Sequence, residues 1–305
     1  MSHSLKPIDQ QVIVVFGASR GIGRATALMA ARQGAKVVAV ARDREALESL
    51  VAQAAPREVV IADADAVDLA AVREVAELAV SRFGRIDTWA HVAGVTVYSR
   101  FEDITPDEFR RVIDVDLMGP VHSAMAALPH LRAQGGAYIV VSSGIARRGL
   151  PLQTAYSAAK HGVGGFVEAL RVELQDEGAP VSVTEILPAA IATPFFEQAR
   201  TRLGVRPSGP PPVYAPEKVA EAILDAAQHP KRDLIVGGAA KVALVAQKLS
   251  PTVVDAFTRV AGSFLQKSKE PKAPSDSDAV FEPPSGDDRV HGEVTTTEPR
   301  GGDST

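Results

Sequence analysis

The chain is predicted to adopt an α/β fold, with a doubly wound and mostly parallel sheet of about seven strands in a single domain. Two observations predict this fold class. Short β-branched segments alternate with helical segments along most of the 305 residues, and a glycine-rich turn joins the first strand to the first helix. Alternation of this kind produces parallel strands that are covered by helices on both faces.

Strands are predicted where short apolar runs, often β-branched, end at turn-forming residues. These runs cover residues 11–16, 36–41, 58–62, 86–92, 137–141, 181–187 and 233–236. Helices are predicted over residues 23–33, 69–83 and 154–175, and a further long helix is predicted from Pro106. Thr105 can cap that helix, Pro106 suits its first turn, and Glu108 completes a capping box.

The pattern changes after the last predicted strand. We therefore divide the chain into a main domain over residues 1–240, a helical extension over 241–267 and an acidic tail over 268–305. The extension is amphipathic, and its apolar face could pack on the main domain or a second subunit, form a substrate lid or contact a membrane surface. The tail is rich in Pro, Ser, Asp, Glu and Gly, which predicts disorder.

Composition narrows the functional classes. The formal net charge is −4 and no long basic cluster occurs, so nucleic-acid binding is not expected. The absence of cysteine excludes disulfides and thiolate nucleophiles, and the histidines lack metal-ligand spacing, so no metal site is proposed. Because no signal-peptide pattern or membrane-length apolar run is present, we expect a cytoplasmic protein.

The turn between the first strand and the first helix has the sequence GASRGIG, with glycines at 17, 21 and 23. Glycine permits positive φ and a close approach of a pyrophosphate to the backbone. The amino terminus of the following helix presents free N–H groups and a partial positive charge to such an anion. The turn therefore predicts a dinucleotide site, with a G-x-x-x-G-x-G spacing.

The end of the second strand predicts which dinucleotide binds. An acidic residue there would bind a ribose 2′-hydroxyl, whereas an arginine would accommodate a 2′-phosphate. This strand ends in Ala41 and Arg42, and Asp43 comes one position later. Arg20 lies within the glycine turn itself. Two guanidinium groups suit a phosphate, so we expect NADP(H) as the cofactor.

Tyr156 and Lys160 are four residues apart on a predicted helix, so their side chains share one face. Ser143 ends the preceding strand, thirteen residues before the tyrosine. Ligands of parallel sheets bind at the carboxyl ends of the strands, where this serine and the glycine turn are both expected. Strand alternation directs the neighbouring Ser142 to the other face, and we assign it a structural role.

Together these motifs resemble the short-chain dehydrogenase/reductase family, over roughly residues 11–240. The resemblance implies a Rossmann-like fold and an NADP(H)-dependent oxidoreductase that moves hydride between the nicotinamide and a small-molecule carbonyl or alcohol. It implies catalysis by Ser143, Tyr156 and Lys160, and a homodimer or homotetramer formed through the helices from Pro106 and Thr154. The cofactor contacts that it implies are Gly17, Ser19, Arg20, Gly21, Ile22, Gly23, Arg42, Asp65, Ala93, Gly94, Tyr156, Lys160, Pro188, Ile191 and Thr193.

The implied chemistry suits these residue types. A free tyrosine has a pKa of about 10, which is high for proton exchange at neutral pH. An ammonium about 4 Å away contributes on the order of 4 kcal/mol at an effective dielectric of about 20, so we expect Lys160 to lower the pKa of Tyr156 towards about 7. Lys160 would also bind the nicotinamide ribose, and Ser143 would hold the substrate oxygen.

The sequence departs from the family pattern in the long helix, where Asp116 replaces the asparagine of a proton relay. An aspartate there could still order a relay water, or it could slow the relay, and we include Asp116 among the catalytic residues. Further departures are His91 and Val92 in place of two asparagines, and Ala189 in place of a glycine. These departures leave open an alternative, a dinucleotide-binding sensor or scaffold with weak or no turnover.

Overall fold

The computed structural model describes residues 5–294 and 296–297. Its strands in chain order are β1 (Val12–Phe16), β2 (Lys36–Ala41), β3 (Val59–Asp63), β4 (Thr88–His91), β5 (Val97–Tyr98), β6 (Gly136–Val141), β7 (Val181–Pro188), β8 (Ala190–Ile191), β9 (Arg200–Thr201), β10 (Val205–Pro207), β11 (Val213–Tyr214), β12 (Asp233–Val236) and β13 (Lys267–Pro271). Its helices are α1 (Gly21–Arg32), α2 (Arg44–Ala54), α3 (Leu69–Phe83), α4 (Pro106–Ile113), α5 (Gly119–Gln134), α6 (Thr154–Asp176), α7 (Pro216–Gln228), α8 (Gly238–Leu249) and α9 (Pro251–Phe257).

A seven-stranded sheet forms the centre of the molecule, in the order β12-β7-β6-β4-β1-β2-β3. Every neighbouring pair in this sheet is parallel, which confirms the predicted doubly wound fold. The order reverses beside β1, where the chain continues to β2 on one side and later adds β4 on the other. Connections leave the strand ends towards opposite faces at such a reversal, and the crevice between them is the usual ligand site.

The two faces of the sheet carry separate cores. Ile13 and Val15 of β1 pack with residues of α1, α2 and α7, whereas Val14 and Phe16 pack with residues of α3, α5 and α6. All five residues of β1 are buried. Alternate side chains therefore serve opposite faces, and burial of both faces explains why the central strands are continuously apolar in sequence.

The predicted start of the helix at Pro106 is confirmed. The Thr105 hydroxyl accepts a hydrogen bond from the Glu108 N–H at 3.2 Å, and the Glu108 carboxylate accepts one from the Thr105 N–H at 2.9 Å. The predicted single long helix is instead divided into α4 and α5 by a wider π-helical turn at Asp114–Met118. Turns of this kind frequently mark functional sites, and this one contains Asp116.

No helix is predicted between β2 and β3, but α2 occupies this connection. Asp43 caps it by accepting a hydrogen bond from the Ala46 N–H at 3.1 Å. Leu47 and Leu50 are fully buried against the sheet. The crossover between two parallel strands needs such an element, because the chain must return along the length of the sheet before β3 begins.

The helical extension is present as α8 and α9, followed by a second π-helical turn at Thr258–Gly262. Composition predicts disorder from Ser268 onward. In the structure, β13 pairs with β10 in antiparallel orientation, and residues 279–292 run along the crevice at the reversal of the sheet. Residues 295 and 298–305 of the predicted tail lie outside the described residues. None of the described helices has the length and apolar character needed to span a bilayer.

Candidate active site

The glycine turn brings β1, α1 and the loop after β4 into close contact. Gly17 has a φ of +96°, and a Cβ atom there would lie 2.5 Å from the Ala93 nitrogen. A Cβ atom on Gly23 would lie 2.0 Å from the Gly17 carbonyl oxygen. Neither position can hold a side chain without moving the backbone. Glycine is therefore required here by the approach of three backbone segments, and the helix amino terminus is left facing the crevice.

The two predicted phosphate-binding arginines both lie in this crevice. Arg20 forms an ion pair with Asp43 at 3.0 Å, and Arg42 lies 3.7 Å from the Asp65 carboxylate. Asp65 also pairs with Arg111 at 2.7 Å, a cation that the sequence analysis missed. No local pattern links Arg111 to this site, because α4 reaches it only through the tertiary fold. Burial lowers the pKa of the Arg20 and Arg42 guanidiniums, and the nearby carboxylates oppose that change.

Backbone groups of the C-terminal segment contact the same polar groups. Arg42 donates hydrogen bonds to the carbonyl oxygens of Ala279 at 2.8 Å and Phe281 at 2.7 Å. Arg20 donates to the carbonyl oxygen of Pro284 at 3.3 Å. The Gly21 N–H, at the start of α1, donates to the carbonyl oxygen of Arg289 at 3.0 Å. The segment thus takes up donors that the sequence analysis assigns to the dinucleotide phosphates.

The predicted catalytic residues meet at the carboxyl end of β6. Ser143 lies two residues after the end of β6, and its hydroxyl hydrogen-bonds the phenol of Tyr156 on α6. The Lys160 ammonium lies one helical turn further along α6, 5.4 Å from the centre of the Tyr156 ring. It donates to the Val141 carbonyl oxygen at 3.3 Å. Ser142, which we assigned to the opposite face, also borders the cavity, and its buried hydroxyl lacks a hydrogen-bond partner among the described residues.

Asp116 lies beneath this group and is fully buried. Its carboxylate is 3.1 Å from the Lys160 ammonium and accepts a hydrogen bond from the Val95 N–H at 3.0 Å. A side chain at Gly94 would lie 2.7 Å from a carboxylate oxygen of Asp116, so the glycine makes room for the acid. Burial raises the pKa of Asp116, and the nearby Lys160 opposes that change.

The expected lowering of the Tyr156 pKa is not found. Burial raises the pKa of the phenol, the Asp116 carboxylate raises it further, and the hydrogen bond from Ser143 lowers it. The expectation was wrong because it counted the Lys160 charge alone. Asp116 neutralises that charge at 3.1 Å, and the site is also too deeply buried to favour a phenolate.

His91 occupies the position at the end of β4 where the family pattern has an asparagine. The imidazole is fully buried, stacks on Phe16 with ring centres 5.5 Å apart, and shares a hydrogen bond with the Ser123 hydroxyl at 2.8 Å. Burial lowers the pKa of His91 to about 3, and the nearby Lys160 lowers it as well. The imidazole is therefore neutral at physiological pH.

One cavity of about 910 Å³ joins these parts, and all the predicted cofactor contacts and Ser143 line it. Asp116 lies behind its wall. Beyond the catalytic trio the lining is mainly apolar, and it includes Tyr98, Phe195 and Phe196 together with residues of α8 and α9. The rings of Phe195 and Tyr156 lie 5.8 Å apart. Tyr98 had no signal in the sequence, since it reaches the cavity through the short parallel pairing of β5 with β9.

Known proteins resemble this chain over most of its length. A family model described as short chain dehydrogenase matches residues 11–204. The uncharacterized oxidoreductase YxnA of Bacillus subtilis is 40% identical over 283 residues, which are 91% of this chain and 80% of that protein. Versicolorin reductase stcU of Emericella nidulans is 36% identical over 193 residues, which are 62% of this chain and 72% of that protein.

Solved structures show the same architecture. A short chain dehydrogenase of Burkholderia cenocepacia in complex with NADP superposes with a TM-score of 0.71 at 27% identity, covering 83% of this chain and 99% of that chain. Carveol dehydrogenase of Mycobacterium avium in complex with NAD gives 0.68 at 25% identity, covering 77% and 98%. With the family model matching well over half of its residues, the chain belongs to the short-chain dehydrogenase family of oxidoreductases.

Proposed function

We propose that the protein is an NADP(H)-dependent oxidoreductase that uses Tyr156 to exchange a proton with a carbonyl or alcohol substrate. One observation carries the proposal: the phenol of Tyr156, the hydroxyl of Ser143 and the ammonium of Lys160 line the same cavity as the glycine turn. Because much of the remaining lining is apolar and aromatic, the substrate is proposed to be a largely apolar carbonyl compound.

The crevice suits a nicotinamide dinucleotide. The Nη1 atom of Arg20 is buried and lacks a hydrogen-bond partner among the described residues, which is a donor suited to a phosphate oxygen. The glycine turn would hold the pyrophosphate, and Lys160 and Thr193 would hold the nicotinamide half. When bound, this cofactor supplies the hydride for reduction or accepts it in oxidation. The two solved relatives described above carry NADP and NAD, which supports the class of cofactor.

The preference for NADP(H) rests on the charges at the end of β2. Asp43 is buried, caps α2 and is paired with Arg20, so its carboxylate is not free to bind a ribose hydroxyl. Arg20 and Arg42 present two guanidiniums to the same part of the crevice. A 2′-phosphate could accept charge-assisted hydrogen bonds from both guanidiniums, whereas a ribose with a free 2′-hydroxyl offers them no anion.

The side chains are arranged to supply a proton. The raised pKa of Tyr156 keeps the phenol protonated, so the proton that reduction of a carbonyl requires is present at neutral pH. Ser143 can donate a hydrogen bond to the substrate oxygen and stabilise its developing charge. After the proton leaves Tyr156, the Lys160 ammonium, 5.4 Å from the ring centre, would stabilise the phenolate. In oxidation, the phenolate would take the proton back from the alcohol.

We also propose self-association through α5 and α6, as the family resemblance implies. Met125 on α5 is 50% exposed and Val172 on α6 is 61% exposed, which leaves large apolar side chains on both helices uncovered in the single chain. Sedimentation velocity of the Met125→Lys/Val172→Lys variant is expected to show a smaller species than the unmodified protein, and an unchanged mass would contradict this assignment.

The proposed activity is tested by titrating the protein with NADPH and NADH and then following NADPH oxidation with ketones, quinones and aldehydes. We expect turnover with at least one carbonyl, and a loss of about 10²- to 10⁴-fold in kcat for Tyr156→Phe, with NADPH affinity retained. Tyr138→Phe is the matched control, because Tyr138 is a buried tyrosine outside the cavity. NADPH binding without turnover of any carbonyl would instead favour a sensor or scaffold.

A further inference from the structure

Two features of the C-terminal region are not used by the proposed reaction. The first is the exposed apolar face of the helical extension. Large apolar side chains along α8, α9 and the turn after them are exposed by between 57% and 80%: Val242, Val245, Leu249, Val253, Phe257, Val260 and Phe264. Their spacing of three and four residues places them in stripes along the helices. Contiguous exposed apolar surface of this kind marks an interaction site.

The charge of this region contrasts with that of the whole chain. Residues 238–269 contain five basic residues and one acidic residue, whereas the complete chain has a formal net charge of −4. The single acid, Asp255, is paired with Arg148 at 2.6 Å. Lys241, Lys248 and Arg259 are exposed beside the apolar stripes. An amphipathic helical surface with apolar stripes and a basic surround matches the chemistry of an anionic lipid surface.

We propose that this face binds an anionic lipid surface. A second copy of the chain fits it less well, because a symmetric contact would bring the same basic residues of both copies together. The same helices also line the cavity, through Val242, Val253 and Phe257 of this face and through Ala246, Val254 and Leu265. Binding at this face would therefore place the apolar end of the cavity next to the lipid, where apolar molecules concentrate.

The test uses the full chain and vesicles of pure phosphatidylcholine or phosphatidylcholine with phosphatidylglycerol. We expect co-sedimentation with the anionic vesicles that weakens with salt, and at least a tenfold loss of binding for Val260→Ser/Phe264→Ser. Phe101→Ser is the matched control, because Phe101 is 68% exposed and lies outside the extension. Absence of vesicle binding, or an apolar-face variant that dissociates an oligomer without affecting vesicle binding, would overturn the proposal.

The second feature is the course of the C-terminal segment along the dinucleotide crevice. Beyond the carbonyl contacts to Arg20, Arg42 and Gly21 described above, side chains of the segment anchor it. Val280 is fully buried and packs with Val95, Val112 and Ala159. Asp288 contacts the buried Arg24 at 3.5 Å and accepts a short hydrogen bond from Ser49 at 2.5 Å. The segment is therefore held at several points rather than at one.

Its chemistry imitates part of the ligand proposed for this crevice. Carbonyl oxygens occupy donors of both arginines and of the α1 amino terminus, and the Asp287 carboxylate opposes the lowering of the Arg20 pKa by burial. A dinucleotide phosphate and this segment cannot accept from the same N–H groups at once. We infer that residues 279–292 are an intramolecular competitor that must leave the crevice before NADP(H) binds, an inference that rests on the proposed function.

The competition predicts that weakening the segment strengthens cofactor binding, because the binding-competent fraction of the protein rises. In the full chain, Val280→Asp is expected to lower the Kd for NADPH by tenfold or more. Ser277→Asp adds the same charge at an exposed position two residues before the segment and is expected to change Kd by less than twofold. Asp288→Ala, which removes a partly exposed anchor, serves as a second variant that does not alter a core residue.

Trypsin cleavage after Arg289 reports the position of the segment without measuring activity. NADPH is expected to accelerate this cleavage in the unmodified protein, and both anchor variants are expected to be cleaved faster without NADPH. Protection by NADPH, together with weaker binding by Val280→Asp, would show that the segment is part of the cofactor site and would overturn the competition. Equal NADPH affinities in the unmodified protein and in the variants would refute only the competition by residues 279–292. If neither the unmodified protein nor any variant bound NADPH, the proposed function would be refuted as well.

Discussion

At the scale of single residues, the balance of charge around Tyr156 decides how the site works. Lys160 is the expected activating cation, but the buried Asp116 carboxylate lies 3.1 Å from its ammonium. The pKa of Tyr156 is raised, first by burial and then by Asp116. At neutral pH the phenol is therefore in its protonated form, and the phenolate that alcohol oxidation needs forms only at higher pH.

Replacing Asp116 with asparagine tests this balance. The Asp116→Asn variant removes a negative charge that raises the Tyr156 pKa, so the phenolate needed for alcohol oxidation should form at lower pH. We expect the rising limb of kcat/KM for oxidation to move to lower pH, measured from the pH profile with one alcohol. Asp114→Asn is the control, since Asp114 lies two residues away and is only partly buried. An unmoved profile for Asp116→Asn would show that Asp116 does not influence the phenol.

Arg42 and Arg44 give a matched test of cofactor choice. Arg42 lines the crevice, whereas Arg44 has a side chain that is 62% exposed and pairs with Glu48 and Asp63. Arg42→Ala should reduce the preference for NADPH over NADH by about 10- to 100-fold, because a charge-assisted contact to the 2′-phosphate is lost. Arg44→Ala should leave the ratio of the two Kd values unchanged. A similar ratio in both variants would refute the assignment of Arg42.

At the scale of elements, backbone packing and the proposed ligand binding both require glycine in the connection from β1 to α1. Gly23 is needed because the helix passes within contact distance of the Gly17 carbonyl, and the same close approach turns the α1 amino terminus towards the crevice. Helix α6 offers the opposite case. Gly165 lies on its exposed side, and a Cβ atom there would meet nothing within 4 Å.

The two glycines should therefore respond oppositely to alanine. Gly23→Ala places a Cβ atom 2.0 Å from a backbone oxygen, so we expect a lower Tm and at least tenfold weaker NADPH binding. Gly165→Ala should increase the free energy of unfolding by about 0.5–1 kcal/mol, because alanine has the higher helix propensity. Thermal and urea unfolding measure both changes. If Gly23→Ala changed neither Tm nor NADPH binding, the turn would accommodate the new side chain without a loss of stability, and the prediction would be wrong.

At the scale of the whole molecule, the buried neutral His91 couples stability to pH. The imidazole pKa falls from 6.5 to about 3 in the folded protein. Between pH 6.5 and pH 3, His91 binds a proton in the unfolded chain but not in the folded chain. The contribution of neutral His91 to the free energy of unfolding is therefore complete above about pH 6.5 and is lost as the pH falls towards 3. Acid should therefore unfold the protein in part by protonating His91.

The His91→Asn variant isolates this contribution. Between pH 6 and 4, the free energy of unfolding of the unmodified protein should fall by up to about 1.4 kcal/mol per pH unit more than that of the variant. His161→Asn is the control, since His161 is exposed on α6, and it should retain the steeper dependence. Urea unfolding at a series of pH values measures the slopes. Equal slopes for the unmodified protein and His91→Asn would contradict the lowered pKa.

Much of the fold was predictable because local patterns and the global topology agree. The seven central strands and the start of α4 follow from apolar runs and a capping box whose signals lie within a few residues. Helix α2 was missed, although Asp43 is a capping residue and Leu47 and Leu50 have helical spacing. The course of the C-terminal segment was also missed. Its polar composition predicts disorder, but its carbonyls meet buried arginines that are distant in sequence.

By itself, the sequence determined the doubly wound sheet, the glycine turn and the placement of Ser143, Tyr156 and Lys160 on one side of it. These features depend on residue types at short, fixed spacings. Only the tertiary structure decided that Asp116 neutralises Lys160, that Arg111 joins the crevice and that residues 279–292 lie within it. The reason is physical: pKa values and crevice contacts depend on burial and on charges brought together from distant segments, and a local pattern contains neither.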